Sequence, residues 1–379
     1  MNTPAEFSRF PSHWDLLPFT NAIKDMTSGN VKIQKSEYFE SGAIPIVDQG
    51  QSVFGGYTND VNAICKADLP TIIFGDHTRV FKYLETQFAL GADGAKVLEP
   101  IAKLDKRFLY HYLKQLRIES AGYSRHYKFL KESYVPVPPL TEQKRIAAIL
   151  DKADAIRRKR KKAIQLADEF LRAVFLDIFG DPISNPMGWQ VKPLNQLATV
   201  TTGNTPPRKE DKYYGDHIEW VKSDNINTPF HFLTKASEYL SIEGKQVARV
   251  VAQGSTLVTC IAGSFDCIGN AAYTNREVAF NQQINALTPL AGVSSWFLYA
   301  LVLFSKKHIQ SASTNSMKGM VSKGKMEGIP MICPPLSLQQ RFQDAFVRYL
   351  SLSEKLNRSS DVSNDVFNSL SQRAFSGQL

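Results

Sequence analysis

Two stretches of the chain, 141–179 and 337–375, contain neither Gly nor Pro and repeat apolar residues at alternating three- and four-residue steps. In the first, Ile146, Ile149, Ala153, Ile156, Arg160, Ala163, Ala167, Phe170 and Val174 form a heptad seam interrupted only at Arg160. In the second, Phe342, Ala345, Tyr349, Leu352, Leu356, Val366 and Leu370 follow the rule more raggedly, with Ser359 and Ser363 as soft spots. The spacing predicts two long helices. Thr141 and Ser337, each straight after Pro-Pro-Leu, are the expected N-caps, Gln340 completing a capping box in the second. Gly180, with Pro182 just beyond, supplies the stop for the first. At 1.5 Å per residue each helix is a rod of roughly 58 Å carrying an apolar stripe, longer than one globular domain covers. Antiparallel pairing of the rods is the expected solution, relating the two halves by an approximate two-fold axis with one globular segment at each end.

The remaining sequence mixes short β-rich runs with turn-forming Gly, Asn, Asp and Pro. Residues 43–47, 71–74, 218–221 and 255–259 read as strands, and 108–116 and 294–309 as helical stretches. The pattern predicts α+β units with twisted, largely antiparallel sheets.

An internal repeat organises these elements. Pro11-x-x-Trp14-x-x-x-Pro18 recurs as Pro186-x-x-Trp189-x-x-x-Pro193, an offset of 175, and Thr27-Ser28-Gly29-Asn30 as Thr201-Thr202-Gly203-Asn204, an offset of 174. Leu98-x-Pro100 with Phe108-Leu109-Tyr110 returns as Leu287-x-Pro289 with Phe297-Leu298-Tyr299 at 189, and Pro138-Pro139-Leu140 as Pro334-Pro335-Leu336 at 196. Four matches in one order with a growing offset argue for duplication with about twenty residues gained in the second copy.

Composition narrows the class. Apolar residues make up 43% and charged residues 21%, which excludes a mainly disordered or collagen-like chain. No apolar run is long enough for a membrane span, and the first twenty residues lack a signal layout, so a cytoplasmic location and no membrane partner are expected. Cys65, Cys260, Cys267 and Cys333 are scattered without zinc or disulfide spacing and read as free thiols, mostly buried. A formal charge of +9 favours polyanionic partners.

Catalytic patterns were sought against this background. None of the three Pro-Pro pairs carries the aromatic residue that an adenine-methylating loop stacks on a flipped base. Gly319 to Lys325 resembles a phosphate loop, but Met326 stands where Ser or Thr would hold magnesium. The seven histidines form no metal-ligand spacing, so no metal site is expected. Asp76 and His77 could form an acid–base pair, although a Gly-containing turn favours a polar recognition loop holding His77 and Arg79.

Basic and aromatic groups suggest binding instead. Residues 141–179 hold ten Lys/Arg against six Asp/Glu, with six consecutive cations at 157–162 that wrap nearly two turns. Arg157, Arg158, Arg160 and Lys161 are candidates for non-specific phosphate or acidic-partner contact, against the alternative of a solvated face. In the second half Asn204, Thr205, Arg208, Lys209 and Tyr213 combine amide, hydroxyl, cation and ring on what is expected to be a loop, a mixture suited to groove reading. Lys318, Ser322, Lys323 and Lys325 form a second candidate patch, and Arg125, His126 and Lys128 hold the corresponding place before Pro-Pro-Leu in the first half.

Duplicated units, each closed by Pro-Pro-Leu and a helix opening Thr141-Glu142-Gln143-Lys144-Arg145-Ile146 or Ser337-Leu338-Gln339-Gln340-Arg341-Phe342, resemble the specificity subunit of type I restriction-modification enzymes. Gly203-x-Thr205-Pro206 and Trp220-Val221 also resemble that family's target-recognition domains, whereas the first unit departs with Gly29-Asn30-Val31-Lys32. The resemblance runs from about Trp14 to the C-terminus. It implies target-recognition domains at 1–138 and 181–334, and long spacer helices at 139–180 and 335–379. It further implies a non-catalytic chain that reads a split, asymmetric site in double-stranded DNA and binds no cofactor itself. Two methyltransferase subunits using S-adenosylmethionine to methylate adenine, and restriction subunits using ATP and Mg, are the implied partners. A stand-alone DNA- or RNA-binding scaffold, or an enzyme with an unrecognised site, are the competing readings.

Overall fold

The computed structural model describes residues 10–92, 94–119, 122, 124–314 and 319–379. It divides into two compact units, one formed by the chain up to Lys161 together with Arg358–Leu379, the other by Lys162–Asn357. Both long stretches are helical, Leu140–Phe179 and Leu336–Phe375, and each contributes one portion to each unit.

Within each unit the two helix portions run antiparallel. In the first, Arg157 lies 4.4 Å over the Phe367 ring, Arg160 donates to Ser359, and Ile146, Ala147 and Leu150 share a core with Ala374 and Phe375. In the second, Phe175 and Phe179 pack on Phe342 at 5.3 and 5.7 Å between ring centres, and Tyr349 donates to Asp168. Arg160 and Ser359, the irregular positions of the two sequence patterns, thus face each other.

The buried stripe departs in phase from the expected seam. Ile156 and Phe170 are 51% and 64% exposed, and Leu352 and Val366 also point outward, whereas Leu150, Leu171, Phe175, Phe346 and Phe367 are buried. The 3-4 spacing admits more than one stripe on a helix rich in apolar residues. Near its unit each helix must also face the domain core, and large rings such as Phe175, packed on Phe297 and Phe304, settle the rotation.

Helix initiation also differs from expectation. The carbonyl of Pro139 accepts from the amides of Glu142 and Gln143, and that of Pro335 from Leu338 and Gln339, so Thr141 and Ser337 lie inside the first turn. Proline has no capping side chain, and the buried amides of Gln143 and Gln339 do the work instead. Gln143 donates to the carbonyls of Pro138 (2.8 Å) and Lys103 (2.9 Å) and accepts from the Asp105 amide (2.7 Å). Gln339 donates to Pro334 (2.8 Å) and accepts from the Ser294 amide (2.9 Å). Asp105 and Ser294 in turn cap the domain helices Lys106–Leu113 and Ser295–Phe304, so one glutamine amide joins two helix starts in each unit. The first long helix stops at Gly180, whose φ of +74° suits glycine.

Each unit holds two four-stranded sheets. In the first unit one sheet is antiparallel, in the order Ile23–Asp25, Ala95–Pro100, Thr71–Gly75, Phe81–Leu84. Its counterpart in the second unit has the order Ala198–Thr202, Ile284–Pro289, Thr256–Thr259, Ala271–Tyr273. The other sheets are mixed, with Ile44–Val47 parallel to Ala89–Gly91 in the first unit and Tyr214–Val221 parallel to Val278–Phe280 in the second. They diverge at one edge. In the first unit Lys32–Ile33 completes the sheet, whereas the repeat puts Pro206–Pro207 at that place in the second. Proline has no amide hydrogen for a ladder, so Val250–Val251 takes the edge and the Pro-Pro segment leaves it as a loop.

In each unit a histidine ties the domain to a long helix. Nε2 of His111, on the domain helix, lies 2.8 Å from the Asp151 carboxylate, which also receives Arg107 at 2.7 Å. His231, from the segment gained in the second copy, has Nδ1 2.9 Å from the Tyr299 hydroxyl and Nε2 2.9 Å from that of Tyr349. Because Tyr349 donates its proton to Asp168, it accepts from Nε2–H. Burial pushes both histidines below their ordinary value, outweighing the nearby carboxylate in each case.

Replacing Gln143 or Gln339 with Ala should cost about 2–4 kcal/mol, because buried backbone groups lose their partners. Gln340→Ala, at an exposed position, should cost under about 0.5 kcal/mol. Urea unfolding distinguishes the two. Both histidines are harder to protonate in the folded protein than in the unfolded chain, so stability should be full above the ordinary histidine value and fall as pH drops through about 6.5 towards the lowered folded values. Thermal melts from pH 8 to pH 5 should show this loss, and His111→Gln with His231→Gln should flatten it.

Candidate nucleic-acid interface

In the first unit, the turn between Thr71–Gly75 and Phe81–Leu84 carries Asp76, His77, Thr78 and Arg79. Asp76 is buried, and its carboxylate accepts from the Tyr127 amide at 2.7 Å while its carbonyl accepts from the His126 amide at 2.9 Å. Two patches fifty residues apart in sequence, 77–79 and 125–128, are therefore held together by one aspartate. With one carboxylate oxygen accepting from a backbone amide, Asp76 acts as a scaffold for the turn. A third segment joins them, since Gln49 accepts from the His77 amide at 3.2 Å and from the Thr78 hydroxyl through its own carbonyl.

Exposure separates the candidate residues. Arg125, Lys128 and Arg79 are exposed, and His77 is half-buried. Arg79 adopts a φ of +62°, unusual for a side-chain-bearing residue, and donates to the Ile118 carbonyl at 2.9 Å. His126, expected among the contacts, is 1% exposed with Nδ1 3.0 Å from the Asp76 carbonyl; it props the turn from within and offers no surface. Lys82 was not anticipated. It shares the inward face of its strand with Leu84, the signal that could have found it, and donates to the Asp48 carbonyl at 2.7 Å. Burial lowers the Lys82 pKa, against the opposing pull of Asp48.

In the second unit the segment holding Asn204 to Tyr213 joins the strand Ala198–Thr202 to the strand Tyr214–Val221. Gly203 starts the loop in close contact: a Cβ there would sit 2.2 Å from the Asn281 carbonyl oxygen, which only glycine avoids. Asn204 turns inward, donating to the Val247 carbonyl at 2.9 Å and accepting from the Arg249 amide at 2.6 Å. Asn30, its repeat partner, likewise accepts from the Lys66 amide, so this asparagine staples a loop in both units. Thr205 bonds Gln282, the Tyr214 hydroxyl donates to the Pro206 carbonyl at 2.7 Å, and the Trp220 indole donates to the Asn204 carbonyl at 3.2 Å.

Arg208 follows this fastened segment and is exposed. Its guanidinium lies 4.7 Å over Trp220 and 4.9 Å over Tyr214, and Nη1 is 2.8 Å from a Glu238 oxygen. Lys222 pairs with the other oxygen of Glu238, and these two cations, Lys222 foremost, keep the Glu238 pKa below the ordinary glutamate value. Lys209 is exposed, and Tyr213 is half-buried with the Lys212 ammonium 5.0 Å over its ring. Glu238 and Lys222 escaped the sequence reading because nothing in one dimension links them to Arg208.

The other patches divide. Ser322 caps the short helix Lys323–Glu327, Lys323 pairs with Glu327 at 3.6 Å, and Lys325 is exposed; this helix packs on the strand Ala198–Thr202. Lys318 lies outside the described residues. Of the basic run, Arg158 and Lys161 are exposed, although Arg158 pairs with Asp154 at 3.1 Å. Arg157 is stacked on Phe367 and paired with Asp154, and Arg160 is turned into the helix pair, so neither is a free surface cation. Among the described residues no cluster of His, Cys, Asp and Glu could hold a metal, and no helix is long and apolar enough to cross a membrane.

Comparison with known proteins gives a consistent result. The family model for the type I restriction modification DNA specificity domain matches twice, over residues 21–166 and 186–359. The specificity subunit of the HindI type I restriction enzyme from Haemophilus influenzae is 30% identical over 141 residues, covering 37% of this chain and 28% of that protein. The EcoR124I/EcoR124II specificity subunit from Escherichia coli is 19% identical over 360 residues, covering 90% of this chain and 87% of that one. Among solved structures, the S subunit of a type I restriction-modification system from M. genitalium has a TM-score of 0.59 at 14% identity, covering 96% of both chains. A chain from work on complex assembly and conformational transition of the type I R-M system has a TM-score of 0.53 at 14% identity, covering 98% and 99%.

Proposed function

Because the chain belongs to the type I restriction-modification DNA specificity family and is a non-catalytic specificity subunit, we propose that each unit reads one half of a bipartite, asymmetric site in double-stranded DNA. One observation carries this reading: a duplicated frame bears different loops. Sheet order, glutamine junction and asparagine staple recur in both units, while Lys32–Ile33 is an edge strand where Pro206–Pro207 lies in a loop off the sheet. A shared frame with unlike loops is suited to two unlike half-sites.

In this reading residues 1–138 and 181–334 do the recognition, and 139–180 and 335–379 set the non-specific spacer and dock two methyltransferase subunits. Exposed Ile156, Leu166, Phe170, Val347, Leu352 and Val362 on the long helices support a docking role, since such apolar positions gain from being covered. The methyltransferase subunits would bring S-adenosylmethionine and methylate adenine, and restriction subunits would bring ATP and Mg. The exposed cations of 158–162 would add phosphate contacts blind to sequence.

The decisive experiment is single-molecule methylome sequencing of a methylation-free host expressing this chain with its methyltransferase subunit. A split motif with methyladenine in both halves is the expected result; a blank methylome from a proven complex refutes the reading. Inserting or deleting four residues within 141–179 should change the tolerated spacer and leave both half-sites unchanged. Altered half-sites at constant spacing would contradict that division of labour. Neutralising the exposed Arg158, Lys159, Lys161 and Lys162 should weaken binding to all duplexes alike and flatten its salt dependence, measured by fluorescence anisotropy across a salt series.

A further inference from the structure

We infer that Arg208 reads guanine, and that Glu238, Trp220 and Tyr214 are positioning residues that aim it. The inference rests on the DNA-reading role proposed above and deepens it by assigning one base to one side chain.

An unsupported arginine on a loop samples many rotamers and suits a phosphate, which accepts contact from many directions. Arg208 is supported on several sides. Trp220 and Tyr214 lie 4.7 and 4.9 Å from its guanidinium carbon, and their own rings meet at 79°, forming a corner. Trp220 is buried, and its indole is bonded to the Asn204 carbonyl, so the corner is rigid. Glu238 holds Nη1 at 2.8 Å and is itself held by Lys222. The loop is fixed immediately upstream, where the Tyr214 hydroxyl grips the Pro206 carbonyl. A guanidinium held by one terminal nitrogen has its Nε–Nη2 edge left over. Among the described residues that edge has no hydrogen-bond partner, and the side chain is 53% exposed.

The Nε–Nη2 edge offers two parallel N–H donors, the geometry that matches O6 and N7 of guanine in the major groove. The other bases do not fit as well: adenine presents a donor beside its N7, and cytosine and thymine lack the paired acceptors. Asn204, the other residue able to read a base in two contacts, has both ends of its amide engaged by backbone, which leaves Arg208 as the reader on this loop.

The test uses the complete complex with its methyltransferase subunits. In methylome sequencing, the wild type should give a motif with an invariant G·C pair in one half. Arg208→Ala and Arg208→Lys should both make that single pair degenerate, and Glu238→Gln should relax it in part, while every other position stays fixed. Lysine is the informative variant, since it keeps the charge that a phosphate needs and lacks the two-pronged edge. With purified complex, 7-deazaguanine at that position removes N7 and should weaken wild-type binding about tenfold or more while leaving Arg208→Ala unaffected. A motif without an invariant G·C pair, an Arg208→Lys complex with wild-type specificity, or an Arg208→Ala complex that methylates the unchanged motif less would overturn the guanine assignment and leave DNA specificity standing. A wild-type complex that assembles and methylates nothing would overturn the DNA-reading role itself.

Discussion

A forty-residue helix cannot bury its own apolar stripe, and in this chain everything else is arranged around that constraint. Each unit supplies a partner portion from the other long helix and a domain core of aromatic side chains, so Phe175, Phe179, Phe342 and Phe346 are buried from two directions. Direction is then imposed at the start of each helix by a single buried amide. Gln143 and Gln339 reach back to a proline carbonyl and accept from the amide of the domain helix's capping residue, coupling the orientation of the domain helix to that of the long helix. A histidine adds a second tie in each unit at non-equivalent positions, His111 to Asp151 and His231 to Tyr349, so the duplicated frame has kept the need for a tie while changing its chemistry.

The recognition surfaces are loops held by polar staples on that frame. Asp76 in the first unit gathers a turn and a distant segment, and Asn204 in the second fastens the loop that presents Arg208. In both cases a short polar side chain is spent on the backbone, and exposed neighbours carry the surface. A buried polar group finds partners because leaving them unmet is costly, so a short polar side chain in a tight loop is drawn inward. Longer cations such as Arg79, Lys128 and Arg208 extend past the staples and are exposed.

Much of this organisation was legible in one dimension. Freedom from Gly and Pro, heptad spacing and the terminal Gly180 marked both long helices to within a residue, and the recurring Pro-Pro-Leu and Trp motifs disclosed the duplication. The strands at 43–47, 71–74, 218–221 and 255–259 followed from β-branched runs between turn residues. Local signals such as these survive because helix and strand periodicities and proline geometry act over a few neighbouring residues. The departure at Pro206 and Pro207 was visible as well, although its consequence, a strand lost from a sheet edge, was not.

What tertiary structure alone decided is which face of each element is inside and which distant side chains meet. Several apolar stripes satisfy the same 3-4 spacing, and the choice that left Ile156 and Phe170 outside was made by rings contributed from elsewhere in the chain. His126 and Asn204 look like surface groups until their partners are known, and Glu238 has no sequence relation to the arginine it aims. Sequence by itself determined the elements, their order and their repetition, since these rest on short-range backbone preference. Burial, charge pairing and the geometry of the interface came only with the fold, because each is a property of groups on separate elements that the chain brings together.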